Sequence, residues 1–349
     1  METMLDYINE EEATLKNILA KFTLKKDVNF KKINNLLILA TGSSYNACLA
    51  AKVTLEKFAA ISVTIEEPYN FNHYGRISDG IDAVLAVSQS GKSASTIDAI
   101  AKLKKEGLFT FALTSDVTSP IAEAVDEVLD LEMGIEKVGF VTKGYVTTVL
   151  QLFLLGLTIA DNKGALLPEQ IDFYRSELKK VISEIPNVIA KTNDFFAVHE
   201  ASFKLGTRFI AIGYGPNWGT AKEFETKFTE TVRKPSQGFE LEAYMHGPYL
   251  EANSEHLVFF IETKSVNRAR SQALKTYMAP YVGQALTITT QAAENATELG
   301  LEVECDELLS ALLLVIPFQI LAYKIATAKG IDLNQRIFDD FDRVLKSKV

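Results

Sequence analysis

The chain has 349 residues, 47% of them hydrophobic, which is enough to build two globular domains of ordinary size. Its formal net charge of −9 provides no basic surface for a phosphate backbone and argues against nucleic acid as a partner. Cys48 and Cys305 lack the spacing of a disulfide framework or a zinc site, so we expect a reducing cytoplasm and no metal or other cofactor.

The N-terminal region predicts a helix and not a secretory signal. Acidic residues stand where a signal would carry bases, and Leu5 to Phe22 has an amphipathic helical pattern. The two most apolar stretches, 146–160 and 311–323, are shorter than the ~20 residues that span a bilayer. We interpret both as core helices and expect no membrane association.

Two polar turns follow strand-like runs in the first half. The run 36–40 leads into Thr41-Gly42-Ser43-Ser44, and the run 83–87 leads into Ser-Gln-Ser-Gly-Lys-Ser at 88–93. Hydroxyls and free N–H groups at a helix N-terminus suit a phosphate, and in a parallel sheet both turns would lie at the ligand-binding edge. Ser and Thr also cap helices routinely, and the density of hydroxyls in the second turn favours phosphate binding.

The chain contains an internal repeat. Residues 36–58 resemble residues 208–230 as strand, glycine turn and helix, with Gly42 and Gly213 in equivalent places. The repeat extends to further strands, 82–87 with 256–261 and 110–114 with 286–290, and to final apolar helices, 147–160 with 308–328. Apolar strands alternating with helices predict βαβ units, so we expect two α/β domains with parallel sheets covered on both faces.

The expected organisation has five parts along the chain. They are an N-terminal helical segment (1–29), a first α/β domain with the phosphate turns (30–165), a helical linker (166–198), a second α/β domain (199–330) and a C-terminal tail (331–349).

The helix after the second glycine turn carries a possible catalytic face. Glu223, Lys227 and Glu230 recur at spacings of four and three and therefore share one side of the helix. The simple interpretation is a solvent-exposed Glu–Lys pair worth a few tenths of a kcal/mol. The position of this helix beside the ligand-binding edge favours a functional role instead.

A histidine in a rigid turn is the other candidate for proton transfer. His246 precedes Gly247-Pro248, which could hold its imidazole in one direction, and imidazole exchanges protons near neutral pH. The remaining histidines have no comparable setting, and we interpret them as structural: His73, His199 and His256.

Five motifs within this repeat resemble the sugar isomerase (SIS) domain family. They are GSSYN, SQSGKSAST, EKVGFVTK, E-x-x-x-K-x-x-E and HGP, and the resemblance covers about residues 30–330. It implies two tandem SIS domains, each a flavodoxin-like three-layer sandwich of a parallel sheet between helices. The chain is most similar to the isomerase half of glutamine:fructose-6-phosphate amidotransferases and to fructosamine-6-phosphate deglycases.

The resemblance implies a role for each matched residue. Glu230 is the catalytic glutamate, Lys227 its neighbouring lysine and His246 the ring-opening histidine. The sugar phosphate falls on Ser43, Ser44, Ser88, Gln89, Ser90, Ser93 and Gly139. The family's Schiff-base lysine falls on Lys346, with Lys348 as competitor and a solvated basic terminus as the alternative. A homodimer is also implied, in which His246 completes the neighbouring subunit's site.

The expected activity is that of a fructosamine 6-phosphate deglycase. The family's cysteine-bearing glutaminase part has no counterpart here, since Cys48 falls inside a predicted helix. Synthesis of an amino sugar from glutamine is therefore disfavoured. The alternatives are an aldose–ketose or amino-sugar phosphate isomerase or deaminase, and a non-catalytic sugar-phosphate sensor.

Overall fold

The apolar strand runs form two parallel sheets, as their alternation with helices predicts. The computed structural model describes residues 2–24, 30–335 and 337–349. Their contacts divide the chain into two units. We call residues 17–137, 143–175 and 335–349 the first unit, and residues 1–16, 138–142 and 176–334 the second unit.

The elements alternate along most of the chain. The strands are β1 (Asn35–Ala40), β2 (Ser62–Glu66), β3 (Ala83–Val87), β4 (Phe109–Thr114), β5 (Glu127–Asp130), β6 (Arg208–Gly213), β7 (Ser236–Glu240), β8 (His256–Glu262), β9 (Gln284–Thr289) and β10 (Glu298–Gly300). The α-helices are α1 (Met4–Lys21), α2 (Ser43–Ala59), α3 (Pro68–Tyr74), α4 (Ala94–Lys105), α5 (Pro120–Glu123), α6 (Lys143–Lys163), α7 (Pro168–Ser183), α8 (Ile185–Leu205), α9 (Asn217–Thr231), α10 (Leu241–Met245), α11 (Arg268–Met278), α12 (Ala311–Leu314), α13 (Ile316–Ala328) and α14 (Phe341–Leu345). Short 3₁₀ helices occupy Phe30–Lys32, Pro248–Glu251, Ala279–Tyr281 and Glu307–Leu309.

Both sheets have the same strand order. The first unit has the order β2-β1-β3-β4-β5, and the second has the equivalent order β7-β6-β8-β9-β10. All strand pairs within both sheets are parallel. The internal repeat is therefore confirmed. This order reverses direction between the first and third strands of each sheet, which is where such folds bind their ligands.

Continuous apolar runs form the central strands because helices cover both faces of each sheet. All five residues of β3 are buried, as are the last five of β1. In the first unit α2 and α6 approach closely at Gly156, where an added Cβ would lie 3.5 Å from Leu55 and Phe58 side-chain atoms. In the second unit rings from α9, β8 and α13 pack edge to face, among them Phe224 and Phe318 at 5.1 Å between centroids.

Two helical stretches are long and apolar enough to cross a membrane by length and composition, α6 and residues 311–328. α6 extends beyond the predicted stretch 146–160 at both ends. In α6 89% of the most apolar window is buried inside the structure, and in residues 311–328 the share is 78%. Burial of this extent is that of a core helix between a sheet and its neighbours.

Candidate functional site

The turn after β1 places a helix N-terminus at the carboxyl edge of the first sheet. Gly42 has φ +60°, a left-handed conformation that favours glycine, and it precedes α2. Because glycine has no side chain, no side-chain hydrogen bond caps this end of the helix. Ser43 and Ser44 are the first two residues of α2, so the predicted phosphate-binding hydroxyls lie at the positive end of the helix dipole.

The turn after β3 is fixed by backbone contacts to the neighbouring strand. The Gln89 carbonyl accepts hydrogen bonds from Ser115 N–H (2.9 Å), Ser115 Oγ (2.8 Å) and Thr114 Oγ1 (3.2 Å). Ser88 is buried and Ser90 is exposed. The turn after β4 therefore holds the backbone at Gln89, and within the turn Ser90 Oγ accepts from the Lys92 N–H at 3.4 Å.

Gly91 makes the second turn possible. Its φ is +66°, and a Cβ there would lie 2.0 Å from Ser119 Oγ, so both the backbone and the space require glycine. Ser93 then precedes α4 but makes no capping hydrogen bond. Its Oγ accepts from Thr96 Oγ1 at 2.9 Å, which leaves the Ser93 hydroxyl hydrogen able to donate to a ligand.

The C-terminal tail pairs with the second turn, which the sequence did not indicate. The Ala94 N–H donates to the Ser347 carbonyl at 3.3 Å, and the Val349 N–H donates to the Lys92 carbonyl at 3.0 Å. These bonds align the tail antiparallel to the start of α4.

The two candidate tail lysines have different settings. Lys348 lies opposite Ser93 in the paired stretch, and its Nζ is 3.2 Å from Asp342 Oδ2. Lys346 directly follows α14, is exposed and has φ +51°. The role of either lysine stays a prediction.

The equivalent edge of the second sheet carries different residues. The glycine that shares the left-handed conformation of Gly42 is Gly215 (φ +55°), so the predicted pairing with Gly213 is wrong by two positions. Gly213 instead allows a close approach, since its Cβ would lie 2.1 Å from the Asn217 carbonyl oxygen. When β3 and β8 are aligned by their register with β1 and β6, Glu262 takes the place of Ser88.

A buried glutamate, Glu262, lies at that edge. Its carboxylate is 2% exposed, accepts from Ser271 Oγ at 2.9 Å and lies 3.5 Å from Arg268 Nε. Burial raises the pKa of Glu262, with the Ser271 hydrogen bond and Arg268 acting against it. A buried carboxyl group in this place is unsuited to a phosphate dianion, so one phosphate-binding edge per chain fits the structure.

Helix α9 buries its lysine between two glutamates. Lys227 Nζ lies 2.6 Å from Glu230 Oε2 and 3.6 Å from Glu223 Oε1. Lys227 and Glu223 are each 1% exposed, whereas the Glu230 side chain is 37% exposed. The interpretation of this face as a solvent-exposed ion pair is therefore wrong. The arrangement holds one accessible carboxylate beside a buried ammonium group.

His246 ends α10 with one ring nitrogen committed. Its Nδ1 lies 2.8 Å from the Glu242 carbonyl oxygen, so Nδ1 donates and Nε2 remains the acceptor in the neutral ring. The side chain is exposed, and Gly247 has φ +129°. Glu240 fixes the start of α10 by accepting from the N–H groups of Glu242 (2.8 Å) and Ala243 (2.9 Å). The ring thus presents Nε2 for proton exchange.

Two further positions complete the candidate set. Gly139 belongs by its contacts to the second unit, and a Cβ there would meet nothing within 4 Å.

Glu67, which the sequence did not single out, follows β2 at the carboxyl edge of the first sheet. Desolvation raises the pKa of Glu67, with a Thr41 hydrogen bond acting against it. Among the residues that the structure describes, no three His, Cys, Asp or Glu side chains group as metal ligands.

Part of the chain matches a known protein family. Residues 29–160 match the family described as SIS domain. Over these residues the chain is similar to that family. A glutamine–fructose-6-phosphate aminotransferase [isomerizing] from Bacteroides thetaiotaomicron is 29% identical over 306 residues, 86% of this chain and 49% of that protein. The chain thus spans about half the length of the curated relatives it matches.

Solved structures share the fold of this chain. The C-terminal domain of glucosamine-fructose-6-phosphate aminotransferase from Francisella tularensis is 22% identical with a TM-score of 0.87, covering 95% of this chain and 97% of that one. Glucosamine-6-phosphate deaminase from Thermotoga maritima is 22% identical with a TM-score of 0.78, covering 96% and 97%. The predicted SIS resemblance and the α/β fold are both confirmed.

Proposed function

We propose that this SIS protein is an enzyme that cleaves a ketosamine 6-phosphate to an aldose 6-phosphate and a free amine. The main support is the pair of hydroxyl-bearing turns at the strand-order reversal of the first sheet, β1 to α2 and β3 to α4. Each combines serine hydroxyls with a helix N-terminus, the combination that binds phosphate. The name of the Bacteroides thetaiotaomicron relative includes fructose 6-phosphate, which is consistent with such a ligand.

Glu230 is the proposed proton carrier. A ketosamine has a carbonyl at C2 and a substituted amine at C1. The Glu230 carboxylate would take a proton from C1 to give an enaminol and return it to C2, which leaves an imine at C1. Water then adds to this imine, and the amine departs with the aldose 6-phosphate. Lys227, with its Nζ 2.6 Å from Glu230 Oε2, orients the carboxylate before substrate arrives.

His246 would open the sugar ring before this proton shift. Its Nδ1 is anchored on the Glu242 carbonyl, so Nε2 exchanges the proton between the ring oxygen and the anomeric hydroxyl. A positioned acid or base of this kind contributes roughly 10²–10⁴-fold, so neither Glu230 nor His246 accounts for the whole rate.

The chain's own thiols do not supply a glutamine-hydrolysing nucleophile. Cys48 is fully buried in α2, and burial raises its pKa. Burial together with Asp306 and Glu177 raises the pKa of Cys305 to about 12. A thiol must ionise to attack an amide, so neither Cys48 nor Cys305 is suited to act as that nucleophile.

Isomerisation and deamination use the same proton shift, and product analysis separates them from cleavage. The purified protein should be tested on a panel of ketosamine 6-phosphates in D₂O, with both products detected. Deglycation predicts equal amounts of amine and aldose 6-phosphate, with deuterium at C2 in those turnovers in which the proton on Glu230 exchanges with D₂O before it is returned. Exchange between aldose and ketose phosphates without amine release would establish the isomerase instead. Binding without turnover of any substrate would indicate a sensor.

The Glu230→Gln variant tests the proton carrier. Glutamine preserves the size of the side chain but cannot accept the C1 proton, so turnover should fall roughly 10²–10⁴-fold while sugar-phosphate binding is retained. Glu225→Gln is the matched control on the same helix, because an amide oxygen can still accept the Gly238 N–H that Glu225 binds at 2.9 Å. Full activity of Glu230→Gln would refute the assignment.

A homodimer in which His246 completes the neighbouring copy's site is part of this proposal. Inactive Glu230→Gln and His246→Ala chains should regain part of the activity when mixed, because each heterodimer would contain one intact site. No recovery in verified heterodimers would contradict the exchange of His246.

A further inference from the structure

The segment 241–253, which carries His246, is fastened at the amino end of the second sheet. It comprises α10, the His246-Gly247 turn, the 3₁₀ helix Pro248–Glu251 and Asn253. Tyr244 on α10 is completely buried in the core of the unit. Arg208, the first residue of β6, donates to the Glu251 carboxylate at 2.5 Å. Arg208 pairs in register with His256, the first residue of β8.

The contact between Asn253 and His256 fixes the tautomer of the imidazole. Asn253 Oδ1 accepts the Glu255 N–H at 2.9 Å, and Asn253 Nδ2 donates to the Glu251 carbonyl at 3.3 Å. The amide nitrogen is therefore the atom that lies 2.9 Å from His256 Nε2. Because Nδ2 can only donate, Nε2 must accept, and the neutral ring carries its hydrogen on Nδ1.

Protonation of His256 breaks this contact. An imidazolium ring has a hydrogen on both nitrogens, so Nε2–H would face the Nδ2 hydrogens of Asn253 with no acceptor between them. Nδ1 offers no compensation, since it is buried and has no hydrogen-bond partner among the residues that the structure describes. Acidification thus removes one of the two polar contacts that hold the end of the segment.

The surrounding charges set the pH range. Burial lowers the pKa of His256, and Arg208 on β6 lowers it further, whereas Glu251 and Glu255 raise it. Burial also raises the pKa of Tyr244 to about 12, so this neighbour stays neutral. The contact is therefore intact above the ordinary histidine pKa of 6.5, and it is lost as pH falls through the lowered pKa of the folded state.

We propose that His256 and Asn253 are positioning residues that hold the His246 segment, and that protonation of His256 releases it. The catalytic consequence rests on the proposed role of His246. The coupling between His256 and the segment is independent of that proposed role. The sequence-based interpretation of His256 as merely structural is replaced by this proposal.

Nuclear magnetic resonance tests the coupling without any substrate. The chain has only four histidines, so long-range ¹H–¹⁵N spectra can resolve every ring. His256 should appear as the Nδ1–H tautomer with a pKa below 6.5. Hydrogen-exchange protection of residues 241–253, corrected for intrinsic rates, should fall as His256 is protonated, by about tenfold for each pH unit between its folded and exposed pKa.

Two variants and a control isolate the mechanism. Asn253→Asp places a carboxylate beside Nε2 that accepts from the protonated ring, so protection of residues 241–253 should rise as His256 is protonated, the reverse of the wild-type response. His256→Gln keeps an acceptor that does not titrate and should abolish the transition. His199→Gln removes another buried histidine of the same unit and should leave the transition unchanged. If turnover depends on His246, its decrease at low pH should be lost in Asn253→Asp and His256→Gln and retained in His199→Gln.

Three results would overturn the proposal. They are an Nε2–H tautomer for His256, protection of residues 241–253 that is independent of its ionisation, and a transition that persists in His256→Gln. Because these readouts need no turnover, they decide the coupling even if the deglycase assay fails.

Discussion

Replacement of Lys227 by methionine should destabilise the second unit by about 3–5 kcal/mol, the range for removal of one member of a buried ion pair. Methionine fills much of the space of the lysine stem but brings no charge. The carboxylate of Glu223, 1% exposed, would then keep its burial without the ammonium group 3.6 Å away.

The magnitude depends on Glu223 more than on Glu230. At 3.6 Å and an effective dielectric constant of about 20, the Coulomb attraction between Lys227 and Glu223 is about 4–5 kcal/mol. Glu230 is nearer, at 2.6 Å, but its side chain is 37% exposed, so solvent screens the pair and reduces its share to about 1 kcal/mol or less. The double variant Glu223→Gln/Lys227→Met leaves no buried charge in that pair and should recover at least half of the loss.

The sole tryptophan provides the assay. Trp218 lies in the first turn of α9, so its fluorescence follows unfolding of the second unit separately from the first. With a urea slope of about 3 kcal/mol per M, the midpoint should fall by roughly 1–1.7 M. The matched control is Lys222→Met on the same helix, whose ion pair with Glu225 is 31% exposed on both sides and is worth at most about 1 kcal/mol.

Two outcomes would refute this reasoning. One is a Lys227→Met variant that loses no more stability than Lys222→Met. The other is a double variant that is less stable than Lys227→Met alone, since that would show that the buried Glu223 charge is not the source of the loss.

Two further expectations can be measured directly. Gly91→Ala should weaken binding of a sugar 6-phosphate at least tenfold by calorimetry, because the new Cβ would lie 2.0 Å from Ser119 Oγ. The control is Gly134→Ala, where φ is also positive (+68°) but the surrounding space is open. This control should cost only about 1 kcal/mol of stability through backbone strain and should leave binding unchanged. Equal loss of affinity in both would contradict the steric argument. Cys48 and Cys305 in the native protein should resist alkylation at pH 8. A pKa of about 12 for Cys305 lowers its thiolate fraction on the order of 10³-fold below that of an ordinary thiol. Rapid modification would contradict the burial of these two thiols.

Local sequence patterns predicted much of the fold. The apolar run 83–87, the hydroxyl turn and the following helix are neighbours in the chain, so periodicity and turn chemistry suffice to predict them. The edge strands β5 and β10 were missed because their local sequences lack such an apolar pattern. Their sequences, Glu-Val-Leu-Asp and Glu-Leu-Gly, are short and partly polar because the edge of a sheet is less buried than its centre.

The candidate site was only partly predictable. The spacing of Glu223, Lys227 and Glu230 placed them on one helix face, but the same spacing occurs on solvent-exposed helices. Burial of that face depends on α13, almost a hundred residues later, whose Ala322 carbonyl accepts the Thr231 hydroxyl at 3.3 Å. A contact of this kind leaves no trace in the local pattern of α9.

By itself, the sequence determined that two strand-rich repeats would form, that hydroxyl turns would follow β1 and β3, and that His246 would sit in a rigid turn. Only the tertiary structure decided the strand order, the pairing of the tail with Lys92 and Ala94, and the buried Glu262 where the first sheet has Ser88. The physical reason is that propensity and periodicity act over a few residues, whereas burial, charge compensation and backbone pairing depend on segments far apart in the chain.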